Sequence, residues 1–436
     1  MESLFIWAIT VFVIALIFIP YIIKFRKRQK LDVERKKEAK SLGIDRPKAQ
    51  YPLIDDSLCI GCGSCVEACP EGDVLGVVFG KATIINGLRC VGHAQCEPVC
   101  PVGALKVGLG DITTRPDIPI LSPENETTVS GLYIAGELGG LSLIRNAVSQ
   151  GKLVVDAIAK NLQSFGNNEV KDVAIVGAGP AGLSAALTAI QHGLSYVVLD
   201  QQDPGGTVLQ YPRRKLVMTQ KIEIPLYGWL DRDEYSKEIL LEIWKKIIQQ
   251  FAITIFTNHK VESVQKPNKY FKISTSGGNF RAKRVVLAMG RRGIPRKLGV
   301  KGEHQSKVMY QLIDAKSYEN CNILVVGGGD STVEAAIGLA RQKGNNVAIS
   351  YRKNKFFRIK KKNQDRIDDL IRSKKVIPYF NSQVLQIKEK SVVMVVGENQ
   401  IEFPNDYVFV YIGGIPPLQF LKDLGIEFGG EVRKIA

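Results

Sequence analysis

Seven of the eight cysteines in this 436-residue chain fall into two short runs of one pattern. Cys59, Cys62, Cys65 and Cys69 form a C-x2-C-x2-C-x3-C-P run. The pattern returns 31 residues later as Cys90, His93, Cys96 and Cys100, and each run is closed by a proline, Pro70 and Pro101. The second run has histidine where the first has its second cysteine. Three ligands at successive x2 spacings, with a fourth just before proline, suit an iron–sulfur cluster. Structural zinc sites instead pair two short ligand runs across a longer loop, and disulfides need an oxidising compartment.

The stretch from about residue 53 to 110 resembles a bacterial two-cluster ferredoxin, a small α+β domain. The resemblance implies crossed ligation, in which the fourth cysteine of each run serves the other cluster. Cys59, Cys62, Cys65 and Cys100 would then hold one cluster, and Cys90, Cys96 and Cys69 the other, with His93 as its further candidate ligand. Three roles stay open for His93: direct ligation, which raises the potential as in Rieske centres; a place beside a three-iron cluster; or a polar loop position beside a cluster with a non-protein ligand. The remaining cysteine, Cys321, stands at the start of an expected strand and reads as a small buried hydrophobe.

Leu4 to Ile23 reads LFIWAITVFVIALIFIPYII, without a charge, and Lys24, Arg26, Lys27, Arg28 and Lys30 follow at once. The apolar run is long enough to cross a bilayer as a helix. A cleavable signal would carry its positive charge ahead of a shorter apolar core, so an uncleaved single-pass anchor is expected. The basic flank sets the amino terminus outside and the remainder in the cytoplasm. The formal charge of +16 is partly local, in this segment and in RKNKFFRIKKK from Arg352. The first run suits anionic lipid headgroups. No nucleic-acid-binding signature accompanies either, so nucleic acid is not an expected partner.

Two glycine-rich turns follow the cysteine region. VAIV leads into Gly177-Ala178-Gly179-Pro180-Ala181-Gly182, a helical pattern, and a strand ending in Asp200. This is a complete dinucleotide-binding fingerprint: glycines for the tight turn and close approach to pyrophosphate, a helix amino terminus, and an acid for the ribose hydroxyl. Beginning 150 residues later, ILVV leads into Gly327-Gly328-Gly329-Asp330-Ser331-Thr332 and a second helix. Where the acid would stand, this copy has Arg352 and Lys353, with Arg358 following. Cations there suit a ribose 2′-phosphate, so NADPH is expected in preference to NADH.

Two such sites, the acidic one first, resemble the low-molecular-weight thioredoxin reductase flavoproteins, over about residues 111–436. Ala288-Met289-Gly290 resembles the segment where that family's chain leaves the FAD domain, and Gly205-Gly206 resembles its flavin-side double glycine. GGTVLQYPRRKLVM is closest to the bacillithiol-disulfide-reductase-like branch. The redox CxxC of thioredoxin reductases is missing, and Ala181 stands where the bacillithiol branch places a cysteine in its first glycine loop. Thiol–disulfide reduction therefore lacks its nucleophile. The family's carboxy-terminal FAD segment also appears out of order, as Thr128 to Gly136-Glu137 with LIRNAVSQG after it. The resemblance implies that Glu137 stands near the flavin's ribityl and pyrophosphate groups, and that the helix from near Ile144 points its positive end at the isoalloxazine.

The expected architecture is α/β, with two Rossmann-like three-layer nucleotide-binding domains, the small α+β cluster domain and one transmembrane helix. Its parts are residues 1–23, an anchor; 24–52, a basic juxtamembrane linker in helical form; 53–110, the two-cluster domain; 111–165, the displaced FAD segment; 170–290, the FAD domain; 291–416, the NADPH domain; and 417–436, a return to the FAD domain. The expected cofactors are FAD, NADPH and two iron–sulfur clusters, the second of them four-iron, three-iron or His-ligated. The expected activity is electron transfer from NADPH to an acceptor such as a quinone, a ferredoxin or a membrane redox protein, with no side-chain acid or nucleophile. Reverse flow toward NADP+ and a carrier or sensing subunit without turnover are the rival readings; a homodimer is a further expectation.

Overall fold

The first nucleotide-binding sheet is built on VAIV and its neighbours, apolar on both sides because both faces are buried: Val173 and Ile175 among residues of three helices, Ala174 and Val176 among Val264, Phe271, Leu421 and Phe428. In the computed structural model, which describes residues 2–45, 50–109, 116–140, 143–162, 169–218, 221–232, 234–267 and 269–429, the strand order is Ile255–Phe256, Tyr196–Leu199, Lys171–Val176, Gly278–Leu287, Phe271–Thr275 and Val261–Gln265. The seventh strand, Leu132–Ile134, lies parallel to the second half of Gly278–Leu287, with Leu132 opposite Val285 and Ile134 opposite Leu287. It is buried along its length. The boundary residues 111 and 163–165 of the expected segments, and the tail beyond 429, lie outside the described residues.

The helix Ile144–Asn161 follows that strand and packs on Pro180–Gln191, the helix of the first glycine turn. Their approach is close. A Cβ on Gly151 would stand 2.2 Å from the Ala181 carbonyl oxygen, and the buried Ser184 hydroxyl donates to the Val148 carbonyl at 2.7 Å. The end of the chain returns to the same place. The Ile120 N–H donates to the Glu427 carbonyl, the Gly429 N–H donates to the Ile118 carbonyl, and Phe428 is buried beside Leu132, Ile134 and Leu138.

The second nucleotide-binding sheet is wholly parallel, in the order Val308–Met309, Tyr407–Tyr411, Asn322–Gly327, Asn346–Tyr351 and Val376–Phe380. A three-stranded antiparallel meander, Ser382–Ile387, Ser391–Val396 and Asn399–Pro404, accompanies it. The chain crosses into this half and back through a two-stranded ribbon, Ile294–Pro295 with Gly414–Ile415. Cys321 departs from expectation. It precedes the strand Asn322–Gly327 and is only partly buried, with its thiol donating to the Glu319 carbonyl at 3.1 Å.

Both nucleotide-binding halves belong to one compact unit, Asp111–Phe356 with Asp365–Ala436. The other unit is Met1–Gly110 with Phe357–Gln364. It opens with one helix, Glu2–Ser41, continuous through Pro20, so the apolar and basic stretches form a single rod. The basic stretch up to Ser41 continues this helix: Asp32 on it is buried and accepts the Val77 N–H at 2.9 Å, and the first strand begins at Gln50. That strand, Gln50–Ile54, pairs antiparallel with Leu105–Leu109, and Leu75–Val78 pairs with Lys81–Ile84 as a hairpin. Val74, Leu75, Ala82, Ala104 and Leu105 make the core, with Cys59, Cys65 and Cys96 embedded in it.

Gly151→Leu is expected to force the helices Ile144–Asn161 and Pro180–Gln191 apart and to destabilise the fold by about 1–3 kcal/mol, the usual cost of overpacking. Thermal denaturation reads the loss. A truncated chain beginning at Val170 is expected to fail to retain flavin, because the strand Leu132–Ile134 and its helix are then missing; full flavin occupancy would show the early segment to be dispensable.

Candidate functional site

The cysteines gather into two groups that cross the two runs. Cys59, Cys62, Cys65 and Cys100 line one cavity together with Ile54, Ile60 and Val102. The Cys65 thiol is pushed up to about 11, by burial first and then by the charges of Cys62, Cys59 and Cys100. Cys96 is pushed up to about 12, by burial first, with Cys69 the largest charge upon it and Cys90 also contributing. Cys69 and Cys90 are raised as well, chiefly by burial. Buried thiols that repel one another do not ionise unaided, so these sites become favourable only around a cationic core. Among the described residues no three His, Cys, Asp or Glu side chains converge as on a single metal ion. The first group's sulfurs surround a space, the arrangement a cluster requires.

Backbone donors complete both sites. The Ala82 N–H donates to Cys59 Sγ at 3.3 Å; the N–H groups of Glu71, Gly72 and Val74 face Cys69, and that of Gly92 faces Cys90. Such N–H···S bonds favour the thiolate and tune a cluster's potential. Beyond the sulfurs the surroundings differ. Buried His93 holds Nε2 3.7 Å from Oε1 of Glu71, also buried, and the Glu71 charge acts on Cys69 and Cys90. Spacing analysis missed Glu71; the only signal was its place directly after Cys69-Pro70, where the second run has Val102 after Cys100-Pro101.

In the other unit, three segments far apart in sequence meet at the first glycine turn. A Cβ on Gly177 would stand 2.5 Å from the Ala288 carbonyl oxygen, and one on Gly206 would stand 2.9 Å from Gly179 Cα. One on Gly136 would lie 3.3 Å from the Ala181 side chain. The Gly136 N–H donates to Gln150 Oε1 at 2.7 Å, which ties the early strand's exit to the helix that follows it. Gly182 closes the turn, since a Cβ there would strike the Gly177 carbonyl at 1.8 Å. Asp200 accepts the Ala178 N–H at 2.6 Å and the Gln202 N–H at 2.9 Å, and burial holds its carboxyl above the usual range. The helix Pro180–Gln191 begins without a side-chain cap, so its first N–H groups face the cradle. Gly205 leads into the short helix Gly206–Gln210, and Gly290 follows Ala288-Met289 at the turn out of the sheet. Glu137 is exposed, with its charge felt by the partly buried Tyr211 phenol. Leu143 starts the helix Ile144–Asn161 at φ 92, a strained conformation for leucine. A backbone cradle of this kind fits the pyrophosphate and flavin of FAD.

The second turn is arranged likewise. Gly329 precedes the helix Asp330–Ala340, which starts without a side-chain cap and carries Asp330 and Ser331 in its first turn. A Cβ on Gly327 would meet the Tyr411 carbonyl oxygen at 2.4 Å. The Tyr351 ring lies over Gly328, where a Cβ would be 2.0 Å from it, and is stacked on Phe356 at 5.8 Å. Sequence reasoning missed Tyr351 because a strand-end tyrosine in a buried strand reads as core. Arg352 and Lys353 follow it, exposed at the carboxyl end of Asn346–Tyr351, where ligands bind open α/β sheets. Arg358 falls within Phe357–Gln364, in the cluster unit.

Fold and site together define a two-dinucleotide flavoprotein carrying a cluster domain. Residues 174–433 match the pyridine nucleotide-disulphide oxidoreductase family and residues 51–101 match the 4Fe-4S dicluster domain; the chain belongs to the first family and contains the second domain. It is similar to a ferredoxin–NADP reductase of Ignicoccus hospitalis, 26% identical over 60% of this chain and 83% of that one. It is likewise similar to the thioredoxin reductase of Bacillus subtilis, 30% identical over 59% and 79%. Among solved structures, bacillithiol disulfide reductase Bdr from Staphylococcus aureus matches with a TM-score of 0.56 and 25% identity, over 59% of this chain and 81% of that one. The protein is thus an FAD-dependent pyridine nucleotide oxidoreductase of the ferredoxin/thioredoxin-reductase type with a 4Fe-4S domain.

Cys100→Ala is expected to remove the cluster of the first-run cysteines, although Cys100 belongs to the second run. Iron content should fall by about four atoms per chain while the other cluster's paramagnetic resonance persists. Loss of the signal that Cys90→Ala also removes would mean that each run serves its own cluster.

Proposed function

We propose that this chain is a membrane-anchored, NADPH-dependent oxidoreductase that delivers electrons singly through two iron–sulfur clusters to an acceptor. The observation that carries the reading is where the thiols are. Seven of the eight stand in the cluster unit, and Cys321 precedes the strand Asn322–Gly327, at the end away from its glycine turn. Six strand residues put it about 20 Å from that turn. A family that includes thioredoxin and bacillithiol disulfide reductases here has Cys321 as the one thiol of its nucleotide-binding unit, while the same chain carries a one-electron outlet. Flavin supplies the junction, because nicotinamide moves electrons in pairs and clusters move them singly.

The residues proposed to hold FAD are Gly177, Gly179, Gly182, Asp200, Gly205, Gly206 and Gly290, with Gly136 and Glu137 from the displaced segment. Those proposed for NADPH are Gly327, Gly329, Asp330, Ser331, Arg352 and Lys353. The matches cover about four-fifths of each relative; the unmatched fifth is about the size of the segment that stands out of order here. The anchor is supported by the helix Glu2–Ser41, whose apolar part is long enough to cross a membrane and, among the described residues, is uncovered within the unit. Reverse flow is the second reading, favoured by the relatives named ferredoxin–NADP reductase.

Steady-state NADPH oxidation with an artificial one-electron acceptor tests for turnover, and its absence would leave a carrier or sensing subunit. NADPH should reduce the flavin faster than NADH, and Arg352→Glu should reverse that preference by replacing a phosphate-binding cation with an acid that accepts ribose hydroxyls. Unchanged preference would make the basic run a solvated surface. His93→Cys is expected to lower the potential of the second-run cluster, since imidazole ligation raises potentials and thiolate ligation lowers them. Redox titration followed by paramagnetic resonance measures the shift. An unmoved potential would exclude His93 as a ligand.

A further inference from the structure

Three contacts along the long helix fix which end of the cluster unit meets the apolar segment. Arg28 lies 3.3 Å from Glu67, Asp32 accepts the Val77 N–H, and Arg35 pairs with Asp73. As the helix number rises from 32 to 35, the hairpin number falls from 77 to 73. Helix and strand Leu75–Val78 therefore run in opposite directions, and the hairpin turn Phe79–Gly80 points back toward the apolar end. At 1.5 Å per residue, Arg28 is about 7.5 Å and Asp32 about 13 Å beyond Ile23. The headgroup layer outside a hydrocarbon core is roughly 5–7 Å deep. Beyond Val77, the hairpin turn comes to the depth of that layer.

The surface at this end is apolar. Phe79 is 79% exposed and Ile60 is 63% exposed. The two are neighbours, because Gly61 abuts the Gly80 carbonyl so closely that a Cβ would stand 2.0 Å from it. Leu58 and Val102 are exposed as well, and Ile60 and Val102 line the same cavity as Cys59, Cys62, Cys65 and Cys100. Large apolar side chains gathered in this way mark an interaction surface. Lys24, Arg26, Lys27 and Lys30, all exposed, stand beside it on the helix, the charge that suits anionic headgroups. At the second group of thiols stand the buried polar side chains of Glu71 and His93.

We propose that this end of the cluster unit is a lipid-facing surface: Phe79 and Ile60 enter the boundary between headgroups and acyl chains, and the first cluster, not the second, is the one presented to whatever acceptor the bilayer carries. The inference rests on the anchored reading of the amino-terminal helix and goes beyond it by naming the face that touches the membrane. The Asp32 carboxylate holds the orientation, since it is buried, accepts a strand N–H and pairs with Arg35 at 2.7 Å.

The full chain, loaded with its clusters and reconstituted in vesicles of phosphatidylcholine and phosphatidylglycerol, provides the test. Phe79→Trp and Ile60→Trp each add one emitter, and lipids brominated high on the acyl chain quench only what reaches them. Native Trp7, in the apolar segment, reports the anchor through the difference between the parent and Trp7→Phe. The expected result is loss of most of the added emission at both new positions together with loss of the Trp7 emission. Quenching of Trp7 with both added emitters unaffected would overturn the lipid-facing surface and leave the anchor standing. Unquenched Trp7 would remove the anchor and the inference with it. Iron content and visible absorbance show that each variant has kept its clusters, and two positions guard against one substitution disturbing the turn.

Discussion

Everything at the flavin cradle depends on one short parallel pairing, Leu132–Ile134 against Val285–Leu287. Three residues make few hydrogen bonds, but each is buried and the strand's exit delivers Gly136 to Ala181 and Gln150 to the Gly136 N–H. It adds to the direct packing of the helix Ile144–Asn161 on Pro180–Gln191 and to the Ser184–Val148 hydrogen bond between them. The chain end completes the same corner, because Phe428 is buried there and Ile118 and Ile120 exchange backbone hydrogen bonds with its neighbours. Segments from residues 118–161, 171–287 and 426–429 thus close one corner of the fold.

What the sequence revealed and what it concealed follow from the range of the interactions. Cysteine spacing is local, so the two runs were legible, and their crossing came from the ferredoxin resemblance. Glycine turns flanked by apolar strands were equally plain, since the turn, the helix start and the two strands lie within about thirty residues. Asp32 was not legible: in a run of lysines and arginines it reads as solvated, and only the distant hairpin of Leu75–Val78 turns it into a buried acceptor. Glu71 was hidden for the same reason, its meaning set by His93 across the fold. Cys321 was misread because a cysteine beside an apolar strand looks internal, whereas the strand's first residue is already at the rim.

The two cluster sites share a ligand pattern and differ in dielectric surroundings. Isoleucine, valine and alanine line the first cavity. The second has a carboxylate and an imidazole in contact, both taken out of water. A carboxylate close to a cluster disfavours the added electron, while imidazole ligation, in the reading that makes His93 a ligand, would favour it. The sequence shows only the second of these influences.

The displaced segment also sets a timetable for synthesis. Leu132–Ile134 leaves the ribosome about 150 residues ahead of the strand it pairs with, a delay of roughly 8–30 s at ordinary translation rates. Throughout that interval an apolar strand waits for its partner strand, while the helix behind it meets Pro180–Gln191 much sooner, and the closing contact of Phe428 with the Ile118–Ile120 stretch comes later still. The cluster unit, by contrast, is almost fully translated by residue 110 and lacks only Phe357–Gln364. Metal insertion can therefore begin while the flavin half is still an unfinished polymer, so the order in which the cofactors are acquired is written into the order of the segments.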